Sequence, residues 1–532
     1  MPPKKSKITG YATREATLTF ANRMRTRYPS FEQSAYRSLA GTNLMTSKVG
    51  YGCYRVHNQS EEHFTTLTNA IEAGCNLIDT SSNYTDGGSE TLIGNVLRNL
   101  IAAEKIRREE IIVVSKVGYM QGKNLDDAMR RERAGQPYPE VVKYMDGCWH
   151  CIHPDFLIDQ WNHSANRLGL ESIDVYLLHN PEYFLSDAQK HTRSSADFND
   201  SQEAYYNRVY RAFVQMEQLA LDGKIRCYGI SSNTFPAPRT DFEHTSIDRV
   251  YEAACNAGAA VHGNSRANHF KVIQLPYNLF EHGALTTVNS EIDGKDVSVL
   301  ERAQSLEIGV LVNRPLNAIV NNHMTRLAQP PYDPNLDYPA EISNAERQFS
   351  QIETKLEGVL KSWGIFDSVR NQVKFNLFYD VSQQLPQLLP HVQSRDHWEQ
   401  ILYRSLIPEI NGYLKKTAEV CSHEVHAQWK VLLQQYVEAL NALFAILTDI
   451  FNRREAEKVE PIQHAVDRRL SDEEKMFTLS QKALNFVTSS PGVSVVLNGM
   501  KRKEYVQDAM GIMSAPDFKQ PPALIESVAR AV

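Results

Sequence analysis

Four side chains in the first third of the chain are of types that can move a proton together. Asp79 ends the apolar segment NLIDT, Tyr84 follows it by five residues, Lys116 ends IIVVSK and His179 ends VYLLH. A phenol ordinarily titrates near pH 10. A neighbouring ammonium stabilises the phenolate and makes proton donation or acceptance feasible at neutral pH. Asp79 is suited to hold and compensate Lys116, and His179 to hydrogen-bond and orient a substrate oxygen. Each residue alone has an ordinary explanation: packing for a loop Tyr, a helix cap for Asp before Thr-Ser, solvation for Lys, a backbone contact for His. Their conjunction at the ends of three successive apolar segments is what points to chemistry.

The elements that must position them repeat. Strand-like segments fall at 49–56, 76–80, 111–116, 173–179, 227–232, 272–277, 309–315 and 493–497, and helix-period stretches at 61–73, 90–100, 155–168, 205–222 and 472–488. Continuous apolar strands alternating with helices predict a parallel sheet covered on its outer face. Eight such units predict an α/β fold of the (β/α)8 TIM-barrel type, in which strand ends converge on one face. A doubly wound sheet is the structural alternative, but no G-x-G-x-x-G follows an early strand.

The rhythm breaks after the seventh strand. The stretch AQPPYDPNLDYPAE cannot be helix or central strand, and helix-period segments follow at 343–363, 397–414 and 423–453. The expected organisation is a basic N-terminal arm (1–35), a first barrel part (36–328), an all-α insertion (329–470) and a last barrel part (471–532). A strand-to-helix loop opens at the C-terminal mouth of a barrel, so the insertion is expected to border or roof the site. The arm holds Lys4, Lys5, Lys7, Arg14, Arg23, Arg25 and Arg27 against Glu15 and Glu32. It reads as solvated, with an organellar transit peptide as the alternative.

A net charge of −6 gives no electrostatic case for nucleic acid. The most apolar stretch, 431–451, is interrupted by Gln434, Gln435, Glu438, Asn441 and Asp449, so a buried or amphipathic helix is expected rather than a membrane span. Seven scattered cysteines fit a reducing, cytoplasmic setting. Cys148, His150, Cys151 and His153 in CWHCIH are all of zinc-ligand type, yet six consecutive residues are cramped for one tetrahedral ion. Packing and a helix start at His153-Pro154 are expected there, and no metal.

The segments EAGCNLIDTSSNYTDGGSETLIG, VVSK, VYLLHNPE, YGISSN, VIQLPYN and PGVSVVLNG resemble the aldo-keto reductase superfamily, in that family's order, across residues 36–325 and 470–512. The resemblance implies a reductase or dehydrogenase acting on an aldehyde, ketone or sugar-like alcohol. Tyr84 would be general acid/base, tuned by Lys116 with Asp79 in support, and His179 would polarise the carbonyl. It also implies an NADP cofactor, with NAD as the alternative. Ser232 and Asn233, or Ser231 if the register slips by one, would hold the nicotinamide amide together with Gln274. Gly499, Lys501 and Arg502 open a helix suited to a phosphate. Three further cofactor-binding candidates depart from the family pattern: Asn313 where an aromatic is common, Arg314 beside it, placed to reach a cofactor phosphate or cover the rim, and Tyr505 in place of Arg or Gln; Ala509 stands in place of Asn. Glu182 and Tyr183 are candidates for the pocket wall. A regulatory, nucleotide-binding subunit using the insertion as an interaction surface is the competing reading. Substrate and oligomeric state stay open.

Overall fold

Eight of the apolar segments pair in parallel into a closed barrel in the computed structural model. It describes residues 6–530 apart from 193, 321–322, 365–384, 386 and 421–425. The strands are β1 Val49–Gly52, β2 Leu77–Asp79, β3 Ile112–Val117, β4 Ile173–His179, β5 Ile225–Ser231, β6 Phe270–Pro276, β7 Gly309–Asn313 and β8 Val495–Asn498. Each pairs with its successor, and β8 closes on β1. The crossovers carry α1 Glu61–Glu72, α2 Gly88–Ala102, α3 Pro154–Leu168, α4 Ser195–Leu221, α5 Ile247–His262, α6 Val299–Ser305 and α7 Leu479–Ser489. Helices α8 Lys503–Gly511 and α9 Pro521–Ala529 follow β8.

Local chemistry sets these boundaries. His153 caps α3 and Pro154 occupies its first turn, while Gly169 ends it in the left-handed region at φ 66°. The helix expected over 472–488 is two pieces, Asp472–Lys475 and α7, because Thr478 and Gln481 form a capping box that starts a new helix. Gly229 is required where β5 meets β6: a Cβ there would lie 1.6 Å from the Val272 carbonyl oxygen.

Alternate strand residues pack into one cluster: Leu77, Ile112, Val114, Val175, Leu177, Cys227, Val272, Leu311, Val495 and Leu497. Side chains alternate faces along a strand. The next inward positions toward the C-terminal ends are therefore Asp79, Lys116, His179, Ser231, Gln274 and Asn313. Leu39 and Leu44, from the hairpin Tyr36–Leu39/Leu44–Ser47, join the same cluster together with Ala12.

The N-terminal segment is not a solvated arm. Residues Arg14–Arg27 form a helix that buries Ala16, Phe20, Ala21 and Met24. Of its basic residues, Arg23 donates twice to Glu110, at 2.8 and 2.9 Å, and Arg25 donates to the Gln33 and Tyr36 carbonyls. The preceding turn is tied down by Asp174 on β4, whose buried carboxylate accepts from Ala12 N–H (2.6 Å), Val113 N–H (2.8 Å) and Arg108 Nη2 (2.8 Å). Apolar positions four apart were hidden among the charges.

Residues Ala328–His464 form a compact unit of their own, and Met1–Leu327 with Ala465–Val532 form the other. The first contains helices Tyr338–Ser362, Arg395–Ile401 and Ile407–Val420 and all but the last three residues of His426–Asp467. Residues 423–425 of the expected third helix, like 1–5 of the expected arm, lie outside the described residues. The stretch Trp429–Asp467 is long and apolar enough to cross a membrane by length and composition. Its Trp429, Leu432, Tyr436, Leu440, Leu443, Leu447 and Phe451 recur at helical spacing and pack in that unit's core. Ala465 lies with the barrel, its carbonyl accepting from Ser527 Oγ at 2.6 Å.

Replacing Asp174 with Ala strands the buried Arg108 guanidinium and two backbone donors. Breaking such a pair from one side costs about 3–5 kcal/mol. A clear fall in the thermal midpoint by circular dichroism is the expected outcome, and an unchanged midpoint would show that Asp174 is not a structural node.

Candidate active site

Period two and a shared barrel end bring the predicted residues together. Lys116 Nζ, wholly buried, donates to Asp79 Oδ2 at 2.7 Å and to the Thr80 carbonyl at 2.8 Å, and lies 3.4 Å from the Tyr84 hydroxyl. Asp79 Oδ1 accepts from Gln274 Nε2 at 2.8 Å, so both carboxylate oxygens are engaged. The His179 ring stands edge-to-face with Tyr84 at 5.9 Å.

Tyr84 reaches this place from a strained turn. Thr85 and Asp86 have φ of 48° and 57°, a left-handed conformation unfavourable for both. Local bonds hold it: Thr85 Oγ1 donates to the Val56 carbonyl at 2.9 Å, and Asp86 Oδ1 accepts from Lys123 N–H at 2.9 Å. The exposed Tyr54 packs edge-on against the Tyr84 ring at 5.1 Å.

The electrostatics follow from burial and pairing. Burial pushes the Tyr84 phenol up to about 12, and the Lys116 ammonium pulls against that shift. Burial also works against the Lys116 ammonium, but Asp79 and Tyr84 outweigh it and hold its pKa above the ordinary value. His179 is pushed well below the ordinary imidazole value by burial, then by Lys116 and His150. Burial raises Glu182 to about 7; its Oε1 accepts from Asn233 N–H at 2.8 Å.

Two residues that the sequence did not tie to His179 orient it. Ser81 Oγ lies 3.0 Å from its Nδ1 and 2.6 Å from Asn83 Oδ1, so rotation of one hydroxyl selects the imidazole tautomer. His150 Nε2 bonds the His179 carbonyl at 2.7 Å. Ser81 had a signal in the sequence, two residues beyond Asp79; His150 stood out there only as a zinc-type residue of CWHCIH.

The proposed cofactor residues divide. Gln274 Oε1 accepts from Ser231 Oγ at 3.0 Å and from Asn313 Nδ2 at 3.4 Å, so these three sit with Asp79 in one network. Asn313 Oδ1 is buried and has no hydrogen-bond partner among the described residues. Ser232 instead turns to Thr234 and Thr245, at 3.1 and 3.2 Å. Inward parity thus falls on Ser231, the alternative register. Arg314, at φ 52°, pairs with Glu281 at 3.2 Å. Arg502 stands at the start of α8, whose first turn no side chain caps, and stacks over Tyr505 at 5.8 Å; Gly499 and Lys501 lie just before it. Ala509 is wholly buried on α8.

CWHCIH does not converge on one centre. Cys148 Sγ accepts from Gln121 Nε2 (3.3 Å), Cys151 donates to the Pro139 carbonyl (3.4 Å), and His153 caps α3. Tyr183 bonds Tyr119, whose ring stacks edge-on against His179 at 4.6 Å.

His179 should stay neutral well into the acid range. A nitrogen-15 titration of the histidine rings, with His179 assigned by its loss in His179→Gln, should show no His179 midpoint between about pH 5.5 and 8. A midpoint near the ordinary imidazole value would contradict the burial argument.

Comparison with known proteins adds to this geometry. The model of the Aldo/keto reductase family matches residues 48–329, more than half of the chain. An uncharacterised oxidoreductase of Bacillus subtilis, YqkF, is 26% identical over 196 residues, 37% of this chain and 48% of that protein. An NADH-specific methylglyoxal reductase of Escherichia coli is 22% identical over 220 residues, 40% of this chain and 56% of that one. The chain thus spans about half the length of these two relatives. Among solved structures, the glycerol dehydrogenase AKR11B4 of Gluconobacter oxydans superposes with a TM-score of 0.44 at 14% identity, over 94% of this chain and 97% of that one. With the family model matching across seven of the eight strands, the chain belongs to the aldo/keto reductase family.

Proposed function

We propose that the protein is a nicotinamide-dependent oxidoreductase that interconverts a carbonyl and an alcohol, with Tyr84 passing the proton. The observation that carries this reading is the half-buried Tyr84, its hydroxyl 3.4 Å from a Lys116 ammonium that Asp79 holds in place. When bound, the nicotinamide supplies or accepts the hydride.

The protein's own residues do the rest. In reduction, the Tyr84 hydroxyl, protonated at neutral pH with a pKa of about 12, gives its proton to the carbonyl oxygen as charge develops there. The phenolate left behind is stabilised by Lys116, which keeps its own proton because Asp79 and Tyr84 hold its pKa up. Neutral His179, in the tautomer whose bare Nδ1 accepts from the Ser81 hydroxyl, donates its Nε2–H to the carbonyl oxygen and fixes the face presented to the hydride. In oxidation the same phenolate takes the proton back.

The residues present suit a dinucleotide. The unpartnered Asn313 Oδ1, with Gln274 and Ser231 beside it, supplies polar groups for a carboxamide; Asn233 and Ser232 lie at the same strand end. The uncapped N-terminus of α8, with Lys501 and Arg502, suits a phosphate. Those two cations favour NADP, and the NADH-specific relative makes NAD the cofactor to compare. Tyr505, under Arg502, belongs to this stretch, and Arg314, paired with Glu281, is the further cation for a cofactor phosphate or the rim.

Consumption of NADPH and NADH with a panel of aldehydes, ketones and dicarbonyls tests the reading. Methylglyoxal belongs in the panel because two Escherichia coli relatives are reductases of it. Tyr84→Phe should lower turnover by about 10²–10⁴-fold, the usual worth of a positioned general acid. Its affinity for the reduced nucleotide, read by fluorescence, should stay near wild type. Unchanged turnover in Tyr84→Phe would remove Tyr84 from the mechanism.

A further inference from the structure

We propose that Glu217, His262 and His269 form a binding site for a divalent transition metal of the zinc class, on the barrel face opposite Tyr84. The three come from the last turns of α4, the last turn of α5 and the residue preceding β6, at the N-terminal end of that strand. Their donor atoms all lie within 4.8 Å of one another.

The Glu217 side chain is fully buried, yet among the described residues its ion-pair partners are two imidazoles and no Lys or Arg. Its two oxygens have separate tasks. Oε1 is filled by fixed donors, the Tyr228 hydroxyl at 2.7 Å and the His269 backbone N–H at 2.8 Å. That leaves Oε2 facing His269 Nδ1 at 2.6 Å and His262 Nε2 at 2.9 Å. A carboxylate oriented by outer hydrogen bonds, with two imidazole nitrogens converging on its free oxygen, is the usual arrangement of a metal ligand and its supporting shell.

The donor set selects the ion. Two imidazoles and one carboxylate suit zinc and its neighbours, whereas magnesium and calcium take oxygen ligands. Three protein ligands leave further positions to water. The carbonyl end of the sixteen-residue α5, where His262 sits, also favours positive charge. His262 and His269 side chains are 15% and 38% exposed, so an ion has a path from solvent. Binding needs no net proton loss from neutral imidazoles: each ring proton moves to the outward nitrogen as the inward lone pair takes the metal. The ligands lie 45 and 52 residues apart, so no short motif announces them.

The site is structural, tying α4 and α5 to the start of β6, so its readout is binding and stability. Metal-stripped full-length protein is titrated with zinc chloride by calorimetry, and its thermal midpoint is measured with and without zinc. The expected result is one tight zinc per chain and a rise in midpoint, since a ligand of the native state alone stabilises it. Affinity should fall at least about tenfold in His262→Gln and in His269→Gln, and magnesium should not replace zinc. Cobalt-loaded wild type should show the visible absorption of imidazole-ligated cobalt, a measurement that needs no variant to fold. Wild type that binds no zinc, or variants that bind it equally well, would reduce the cluster to a hydrogen-bonded node and overturn the proposal.

Discussion

A fully buried ammonium is the constraint on which the site depends. An isolated charge inside a protein is costly unless paired and hydrogen-bonded. Lys116 meets that demand with the Asp79 carboxylate, the Thr80 carbonyl and the Tyr84 hydroxyl. These partners leave little freedom. Asp79 must lie on the neighbouring strand, Thr80 must turn its carbonyl back, and the chain must leave Tyr84 through a left-handed turn. Gln274, on the far side of the barrel, fixes the remaining Asp79 oxygen. One ion pair therefore ties β2, β3, β6 and the Tyr84 turn into a single rigid group.

The same pairing explains why the site is polar at one level only. Below it, the inward positions are Leu, Ile, Val and Cys, packed without polar atoms. The change from apolar to polar occurs within two residues on several strands, Val114 to Lys116 and Leu177 to His179 among them. Side chains at that level work against a low-dielectric floor, where electrostatic effects on Tyr84 and His179 are strong. The opposing shifts of those two groups, phenol upward and imidazole downward, have one principal cause in burial.

Much of this was legible in the sequence. All eight strands announced themselves as short β-branched or apolar runs, and the four chemical residues as types that can move a proton, at or just beyond the ends of three of them. Period two, applied strictly, also distinguishes Ser231 from Ser232: counting inward from Cys227 through Gly229 reaches Ser231. What the sequence concealed was set by tertiary contacts. The helix Arg14–Arg27 buries a narrow apolar stripe among charges, one of which, Arg23, pairs with the distant Glu110. The Glu217 cluster exists only because α5 delivers His262 beside His269. The capping box at Thr478, by contrast, was readable as T-x-x-Q and splits the helix expected there.

The central claim is that Lys116, held by Asp79, gives Tyr84 its competence for proton transfer. Steady-state reduction by Lys116→Met, together with nucleotide affinity measured by fluorescence, tests it most directly. The account predicts a loss of turnover of about 10²-fold or more, the range of a disabled general acid, with nucleotide affinity close to wild type. Turnover near wild type in Lys116→Met would contradict it.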